Sequence, residues 1–504
     1  MSEEAVERSP AVALASTGLA TAEVAMPSAA TVSARIRDGL APSWAPPLRV
    51  ALLTLHDLFV IAVVALAAIR LWAVGVRGQT LGDYLHLAPL MLLFVIGFAK
   101  AGLYPGFGMG AIETLRRLSL RSSFVFLVLA AGSFVLKVPP TYSRVTFFLA
   151  WGGILVALPV GRQLLLALVH DRRWWGEPAV VVGTGPQARR LVGDLRGALT
   201  LGYRPRWVLR LPGGAPPPSD LVHLGGLEQV EPLARHGVRV ALVLEEKLSD
   251  RGGALDLLQA HFRHVILVRS NAGDPIEGVV VRNMGGSLGI EYCNQLLRRR
   301  HRLVKRTMDL VAGSVCLLLA LPLIGLGIVL VKLVSRGPAF FAQEREGLGG
   351  RRIRVRKLRT MYVDADRRLR RHLEEHPEAR REWESRFKLT HDPRILPVVG
   401  RFLRRFSLDE LPQLWSVVTG EMSLVGPRPF PDYHLESLPA RFRDLRRRVR
   451  PGLTGLWQVM VRSHGDVEDQ ERFDSYYIRN WSIWMDLYIL GRTVMAVLAG
   501  RGAY

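Results

Sequence analysis

The chain has few cysteines and comparatively few acidic residues. Its 504 residues include two cysteines, Cys293 and Cys316. They have neither the spacing of a metal site nor the number needed for a disulfide framework, which agrees with a reducing compartment. Residues 1–45 lack the basic start and the leucine-rich run of a secretion signal. They are rich in Ala, Ser, Thr and Pro, and this composition predicts a disordered tail.

The shortage of acids leaves a strongly basic chain. There are 67 Lys and Arg residues against 44 Asp and Glu, which gives a net charge of +23, and 49% of the residues are hydrophobic. A chain that is both apolar and basic is expected to contact a membrane and an anionic partner. Lipid headgroups, phosphorylated substrates and nucleic acid all remain open at this point.

Four apolar runs follow the tail, and each is close to the ~20 residues that cross a bilayer core. Arginines cluster before the first run, between the second and third, and after the fourth. By the positive-inside rule, both ends of this bundle lie in the cytosol. A buried helical core in a soluble protein is the alternative. We therefore predict four transmembrane helices within residues 46–174, namely Val50–Trp72, Tyr84–Ala101, Ser122–Leu136 and Val145–Gly161.

Residues 175–296 change character and alternate between strand-like and helical runs, which predicts a doubly wound α/β domain. The run Pro178–Gly183 enters a glycine turn that ends at Gly185. Such a turn is typical of a dinucleotide-binding fold, where it holds phosphate at a helix N-terminus. Arg210, however, stands near the place where an acidic ribose ligand is expected. Both NAD binding and a structural or regulatory domain that keeps only the turn remain open.

A fifth uncharged run, Leu310–Val331, lies in a region with basic residues on both flanks. Both ends therefore carry the signature of the cytosolic side. Pro322 sits mid-run, where a proline removes a helical hydrogen bond and kinks the axis. We predict a basic linker and a re-entrant helix–break–helix over residues 297–335. A kinked helix that crosses the membrane is the alternative.

Residues 336–504 contain the motifs that indicate chemistry. The stretch from Phe406 to Pro429 joins two adjacent carboxylates, Asp409 and Glu410, to an arginine between two prolines. Carboxylates among cations suit a phosphorylated substrate, because phosphate charge must be masked before an anionic nucleophile can attack. Ser407 and Glu410 also fit a helix capping box, which is a structural alternative.

The motifs occur in a fixed order: GPAFFAQEREG from 337, KLRT from 357, DPR from 392, LDELPQ from 408, SLVGPRP from 423 and RPGLTGLWQ from 450. This ordered set resembles the bacterial sugar transferases, the monotopic polyprenyl-phosphate hexose-1-phosphate transferases, from about Lys305 onward. GLYPG at 102–106 is similar to a loop of undecaprenyl-phosphate galactose phosphotransferases. Members of that group join four spans and a degenerate dinucleotide-like domain to a re-entrant helix and a small cytosolic transferase domain.

The resemblance implies a reaction and a set of site residues. Asp409 would be the nucleophile that attacks the sugar-bearing phosphorus of a UDP-hexose and releases UMP, and undecaprenyl phosphate would then displace the phosphosugar. Asp409 and Glu410 would hold Mg²⁺, and Glu410 would help to activate the lipid phosphate. Arg428 would contact the uridine diphosphate, with Pro427 and Pro429 restricting its backbone. The other cations expected to face phosphates are Lys357, Arg359, Arg404 and Arg450.

The same resemblance favours galactose as the hexose, with glucose as the alternative. It places the enzyme in the bacterial inner membrane, with its catalytic domain on the cytosolic face and a homodimer as a further expectation. The pathway would be O-antigen, capsule or exopolysaccharide synthesis. Two other functions fit less well. A membrane-tethered nucleic-acid binder lacks a recognised binding module. A nucleotide-sugar oxidoreductase lacks a Tyr-x-x-x-Lys pair in the α/β region.

Overall fold

A computed structural model describes residues 29–135, 143–198, 200–211, 218–244, 251–268, 279–284, 287–292, 295–386, 389, 392–431, 435, 438–460 and 467–498. Contacts group these residues into two compact units. The first contains residues 29–46 and 169–268, and the second contains residues 47–168 and 279–498. Cys293 lies outside the described residues, and Cys316 is an exposed free thiol.

Helices make up most of the second unit, whereas the first combines helices with the strands of a sheet. The α-helices are α1 (Ala29–Gly39), α2 (Ala45–Ala68), α3 (Gly82–Leu85), α4 (Leu92–Lys100), α5 (Ala111–Val135), α6 (Arg144–Val169), α7 (Pro186–Gly197), α8 (Val230–Arg235), α9 (Arg251–His261), α10 (Arg299–Val334), α11 (Ala365–Glu375), α12 (Pro377–Arg386), α13 (Val399–Arg405), α14 (Gln413–Thr419), α15 (Ala440–Arg447), α16 (Leu456–Met460), α17 (Val467–Asn480) and α18 (Ile483–Leu498). The strands are β1 (Glu177–Val182), β2 (Tyr203–Leu209), β3 (Val222–Gly225), β4 (Val240–Leu244), β5 (His264–Val268), β6 (Val279–Met284), β7 (Ser287–Tyr292), β8 (Phe340–Glu346), β9 (Arg352–Leu358), β10 (Ser423–Val425) and β11 (Gly452–Thr454).

The first unit is built on a parallel sheet with the strand order β3-β2-β1-β4-β5. Successive side chains of a strand point to opposite faces, so Val180 and Val181 of β1 enter different core clusters. Residues of α1, α8 and α9 cover one face of the sheet, and residues of α7 cover the other. This confirms the parallel α/β architecture predicted from the alternating sequence.

Helix α1 corrects the prediction of a disordered tail for residues 29–39. Val32 and Ile36 are one helical turn apart and are 2% and 0% exposed. They pack in the same cluster as Trp207, whose indole nitrogen donates to the carbonyl of Arg35 at 3.2 Å. The polar composition of the whole tail concealed this i, i+4 apolar pair. Residues 1–28 lie outside the described part of the chain.

Three helices of residues 45–169 are long and apolar enough to span a membrane: α2 with its π-helical extension Ile69–Val74, α5 and α6. The predicted second span is shorter than expected. It consists of a 3-10 turn, Ala88–Met91, and the nine residues of α4. At 1.5 Å per residue these elements fall short of a hydrocarbon core of ~30 Å. The apolar run began at Tyr84, but its first residues form the separate short helix α3.

The fourth long apolar helix is α10, which continues through Pro322 for 36 residues. The predicted break is therefore absent from its secondary structure. A proline removes only its own N–H bond, and the neighbouring turns keep theirs. The buried residues of α10 recur every three, four or seven positions and form one face of the helix. Within that face, an added Cβ would lie 3.0 Å from Val417 at Gly313 and 2.5 Å from Leu358 at Gly327.

A buried polar cluster attaches the first half of α10 to the rest of the second unit. Lys305 Nζ lies 2.8 Å from Asp309 Oδ1 and 2.9 Å from Asp486 Oδ2 of α18. Asp309 also accepts from Ser423 Oγ at 2.8 Å and from the main-chain nitrogen of Leu424 at 3.1 Å. Charges as deeply buried as these must be paired and hydrogen-bonded. The cluster therefore fixes β10 against the membrane helix.

Candidate active site

The two adjacent carboxylates lie in a short 3-10 turn, Leu408–Glu410, between α13 and α14. Asp409 is buried, at 8% exposure, and the Glu410 side chain is 19% exposed. Ser407 precedes them in a left-handed conformation, with φ 52°, and makes no side-chain cap hydrogen bond. The capping-box alternative is therefore wrong, and the carboxylates need another explanation.

Glu410 is the meeting point of three distant segments. Lys357, at the end of β9, places its Nζ 2.5 Å from Glu410 Oε1. Arg428, which follows β10, places its NH2 3.1 Å from the same oxygen. Hydrogen bonds between charged groups are stronger than neutral ones, so this cluster is well defined. The structure thus brings together four residues that the motifs predicted, Asp409, Glu410, Lys357 and Arg428.

The two carboxylates have different acidities. Burial and the neighbouring charge of Glu410 raise the pKa of Asp409 to about 6, against the smaller effects of Lys357 and Arg404. Burial also acts to raise the pKa of Glu410, but the charges and hydrogen bonds of Arg428 and Lys357 lower it to about 2. Two carboxyl groups with separated pKa values are suited to different tasks. Glu410 is therefore ionised at neutral pH, whereas Asp409 gains or loses its proton at a pH just below neutral.

Arg404 lies beside Asp409 at the end of α13. Its Nε donates to Thr360 Oγ1 at 2.9 Å. Burial lowers the pKa of Arg404, while the carboxylates of Asp409 and Asp392 act to raise it. Arg404 could be predicted as a site residue but Thr360 could not, because nothing in the motif KLRT shows which side chain orients a guanidinium 44 positions away.

Two other predicted cations hold main-chain carbonyls in the described structure. Arg359 is 5% exposed and donates to the carbonyl oxygens of Ser335 at 2.9 Å and Arg336 at 3.2 Å, just beyond the end of α10. Arg450 Nε donates to the carbonyl of Gly420 at 2.8 Å. Their predicted phosphate contacts stay predictions.

The remaining predicted positions are prolines. The carbonyl of Pro427 accepts from the main-chain nitrogen of Gly452 at 2.9 Å, and that of Pro429 accepts from Arg345 at 3.5 Å. These bonds hold the chain on both sides of Arg428. Pro322 lies within α10, in the apolar run between its two basic flanks.

Gln413 is a further candidate residue of the active site, and the sequence alone indicates no role for it. It is 3% exposed, and its Nε2 has no hydrogen-bond partner in the described part of the chain. Gln413 is the first residue of α14, four positions after Asp409. Its position in the motif LDELPQ was the available signal.

Asp409 and Glu410 fit the requirements of a Mg²⁺ ion. The described residues contain no group of three or more His, Cys, Asp or Glu side chains placed to hold a metal. Mg²⁺ does not need such a cage, since it is commonly bound by one or two carboxylates together with water and substrate phosphates. Burial, and to a smaller extent the charge of Glu410, raises the pKa of Asp409, and a bound cation would act against both effects.

Comparison with known proteins identifies the family. The family model for bacterial sugar transferases matches residues 300–500. The UDP-galactose-lipid carrier transferase of Erwinia amylovora is 33% identical over 374 residues, which cover 72% of this chain and 76% of that protein. The chain belongs to the bacterial sugar transferases.

Two further relatives support this assignment. The undecaprenyl-phosphate galactose phosphotransferase of Salmonella typhimurium is 34% identical over 72% of this chain and 77% of its own length. The exopolysaccharide production protein ExoY of Rhizobium meliloti is 42% identical over 40% of this chain and 88% of its own length. The residues of this sugar transferase that converge on Glu410 lie within the part matched by the family model.

Proposed function

We propose that this protein transfers hexose-1-phosphate from a UDP-hexose to undecaprenyl phosphate and releases UMP. The observation that carries the proposal is the pair of neighbouring carboxylates with separated pKa values, Asp409 and Glu410, in a cationic setting. Galactose is the proposed sugar, because two of the relatives that match 72% of this chain are named for galactose transfer, and glucose is the alternative. Exopolysaccharide, capsule or O-antigen synthesis would use the product.

The proposed chemistry has two displacements at one phosphorus atom. An ionised Asp409 oxygen attacks the sugar-bearing phosphorus, the bond from that phosphorus to the bridging oxygen breaks, and UMP leaves with the electron pair. An oxygen of undecaprenyl phosphate then attacks the same phosphorus, and the bond to Asp409 breaks. The products are the free carboxylate and undecaprenyl diphosphate hexose. Covalent catalysis of this kind replaces one difficult step by two easier ones.

The surrounding residues have separate tasks in this proposal. Lys357 and Arg428 pair with Glu410, so Asp409 keeps an oxygen for attack while the charges of Lys357 and Arg404 still act on it. Arg428 is 37% exposed and can turn its fork toward a diphosphate. Mg²⁺, held by Asp409 and Glu410, would supply neutralisation of phosphate charge. Arg404 faces Asp409 and would limit repulsion as the anionic substrate approaches.

The packing of α10 supports a re-entrant helix with the catalytic residues on the cytosolic side. Asp309, in its first half, binds β10, whereas Val331, near its end, packs with Leu358 and Leu403. Both ends of the helix therefore touch the same folded unit. If α10 crossed the bilayer, its two basic flanks would face water on opposite sides of the ~30 Å hydrocarbon core, and so would the residues that pack on its two ends. A kink at Pro322 that leaves the helix continuous would let α10 enter and leave one leaflet, so that the basic flanks share one side.

The decisive experiment is capture of the covalent intermediate. Purified protein incubated with UDP-galactose and Mg²⁺ should acquire a phosphohexose on Asp409, detectable by peptide mass spectrometry. Asp409→Asn should abolish both the adduct and UMP release. Asp366→Asn, which changes an acid in the first turn of α11, is the matched control and should behave as wild type. Normal turnover by Asp409→Asn would eliminate Asp409 as the nucleophile.

A further inference from the structure

The segment Pro427–Pro429 is held through its carbonyl groups. Its two prolines have no N–H to donate, so main-chain attachment depends on its acceptors. Pro427 accepts from a main-chain nitrogen and Pro429 from a long contact with Arg345. The carbonyl between them, that of Arg428 itself, accepts from the guanidinium NH2 of Arg446. The main chain of Arg428 is thus bound by a charged side chain.

Arg446 is itself firmly fixed. It lies in α15, is 8% exposed, and its NH1 donates to Asp474 Oδ2 of α17. Its guanidinium carbon stands 4.3 Å from the ring centroid of Phe430 and 5.4 Å from that of Phe442. A planar guanidinium presents its donors in a rigid fork, so separate nitrogens reach two acceptors while the face of the group stacks on aromatic rings, and the single nitrogen of a lysine does not reproduce this arrangement. The carboxylate of α17 therefore determines where the main chain of Arg428 lies.

Arg428 is consequently held at both ends. Its carbonyl is bound by Arg446, and its side chain reaches Glu410 at 3.1 Å. The side chain is 37% exposed, so substrate has access to it. A long side chain loses conformational entropy when it binds, and a fixed main chain reduces the remaining freedom.

We propose that Arg446 is a positioning residue that presents Arg428 to the diphosphate of the sugar nucleotide. The inference rests on the proposed function and adds a residue that makes no contact with the substrate. Its loss should weaken the use of UDP-hexose selectively, because Asp409, Glu410 and Lys357 stay in place. The KM for UDP-hexose should rise, whereas kcat should change much less.

Two variants test this in the full-length protein. Arg446→Lys keeps the charge opposite Asp474 but replaces the two nitrogens that contact Asp474 and the carbonyl of Arg428 by a single one. Asp474→Asn keeps Arg446 but removes the carboxylate that fixes it. In both, the KM for UDP-galactose should rise about tenfold, the scale of one hydrogen bond to a charged group. The KM for undecaprenyl phosphate should stay at its wild-type value.

Arg448→Lys is the matched control, since Arg448 is exposed directly after α15, and it should leave both KM values unchanged. A purely structural role would lower the amount of active enzyme, and hence apparent kcat, without moving either KM. If that result is obtained while the wild type turns over normally, it overturns the inference about Arg446 and leaves the proposed function standing. A wild-type protein that releases no UMP from any UDP-hexose overturns the proposed function and the inference with it.

Discussion

At the scale of single residues, neighbouring positions in the chain have opposite electrostatic surroundings. The carboxylate of Glu410 is paired with two cations, whereas that of Asp409 is buried beside another carboxylate. A low pKa keeps the first ionised, and a raised pKa makes the second a stronger base and nucleophile once it is ionised. The difference arises because Lys357 and Arg428 both reach the same oxygen of Glu410.

The pH dependence of the first displacement follows from the pKa of Asp409, which is about 6. Asp409 must lose its proton to attack, so kcat/KM for UMP release should fall below pH 6 and level off above it. Glu410→Gln removes the like charge and should move the acid limb to lower pH, whatever its effect on the maximum rate. Stopped-time assays of UMP across pH 4.5–8 would measure this. If the acid limb of the pH profile lies at the same pH in Glu410→Gln as in the wild type, the charge of Glu410 does not raise the pKa of Asp409.

The free energy of unfolding should depend on pH in the direction opposite to the activity, and so fall as the pH rises past the pKa of Asp409. A carboxyl group with a raised pKa favours folding below its unfolded pKa, and this contribution disappears as pH rises through the folded value. Above pH 6, ionised Asp409 therefore destabilises the fold, by at most about 3 kcal/mol for a shift of this size. Asp409→Asn should raise the melting temperature at pH 8 without divalent metal. Added Mg²⁺ should stabilise the wild type and reduce the difference. A variant less stable than wild type at pH 8 would refute this.

At the scale of elements, α10 determines where two strands of the site lie. Asp309 binds β10, which leads to Arg428, and the surface around Gly327 receives Leu358, the neighbour of Lys357. The sequence marked α10 as a membrane segment but could not show this second role. In the sequence, nothing distinguishes the apolar residues of α10 from one another. In the structure, the buried residues form a stripe along one face of the helix.

Paired glycine variants test this role. Gly327→Val should push against Leu358, which is 2% exposed and has little room to move, and so displace β9 with Lys357. UMP release should drop by about tenfold or more, the rate effect of about 1.4 kcal/mol. A Cβ at Gly325 meets nothing within 4 Å, so Gly325→Val is a control with the same change two residues away. Equal activities in the two variants would show that the contact with β9 is unimportant.

Some elements and site residues could be predicted from the sequence, and others could not. The carboxylate pair and Arg428 follow from the order of the motifs, and the alternation of residues 175–296 predicted a doubly wound α/β domain, whose parallel sheet ends at Val268. Arg359 shows the limit, because a basic run does not reveal which guanidinium faces solvent and which holds the carbonyls of Ser335 and Arg336. Helix α1 was missed since its apolar contacts are with Trp207, far away in sequence.

At the scale of the whole molecule, the apolar helices must be able to lie in a bilayer while the charged regions remain in water. Three long apolar helices precede the α/β unit, and α10 follows it. The helix predicted as the second span is short, so counting spans does not by itself determine the side on which the catalytic residues lie. The packing of both halves of α10 on one unit is the stronger argument.

Site-directed labelling tests this orientation. In a variant without Cys293 and Cys316, a cysteine at Asp366 in α11 should react with a membrane-impermeant maleimide in inside-out vesicles and stay unmodified in intact spheroplasts. Cysteines at Arg300, an exposed residue at the start of α10, and at Arg336, just after α10, should behave in the same way. A helix that crosses the membrane predicts that these two positions are labelled from opposite sides, and that outcome would exclude the re-entrant arrangement.

The glycine contacts of α10 also imply a limit on how this protein can vary in length. Gly313 and Gly327 contact α14 and β9 through one face of a continuous helix. Inserting one residue between them would rotate the later contacts by about 100° and shift them by about 1.5 Å. Lys357 and Arg428, which meet at one oxygen of Glu410, would then be attached to faces pointing in different directions. Insertions and deletions should therefore accumulate in the loops of this protein and be excluded from residues 313–327.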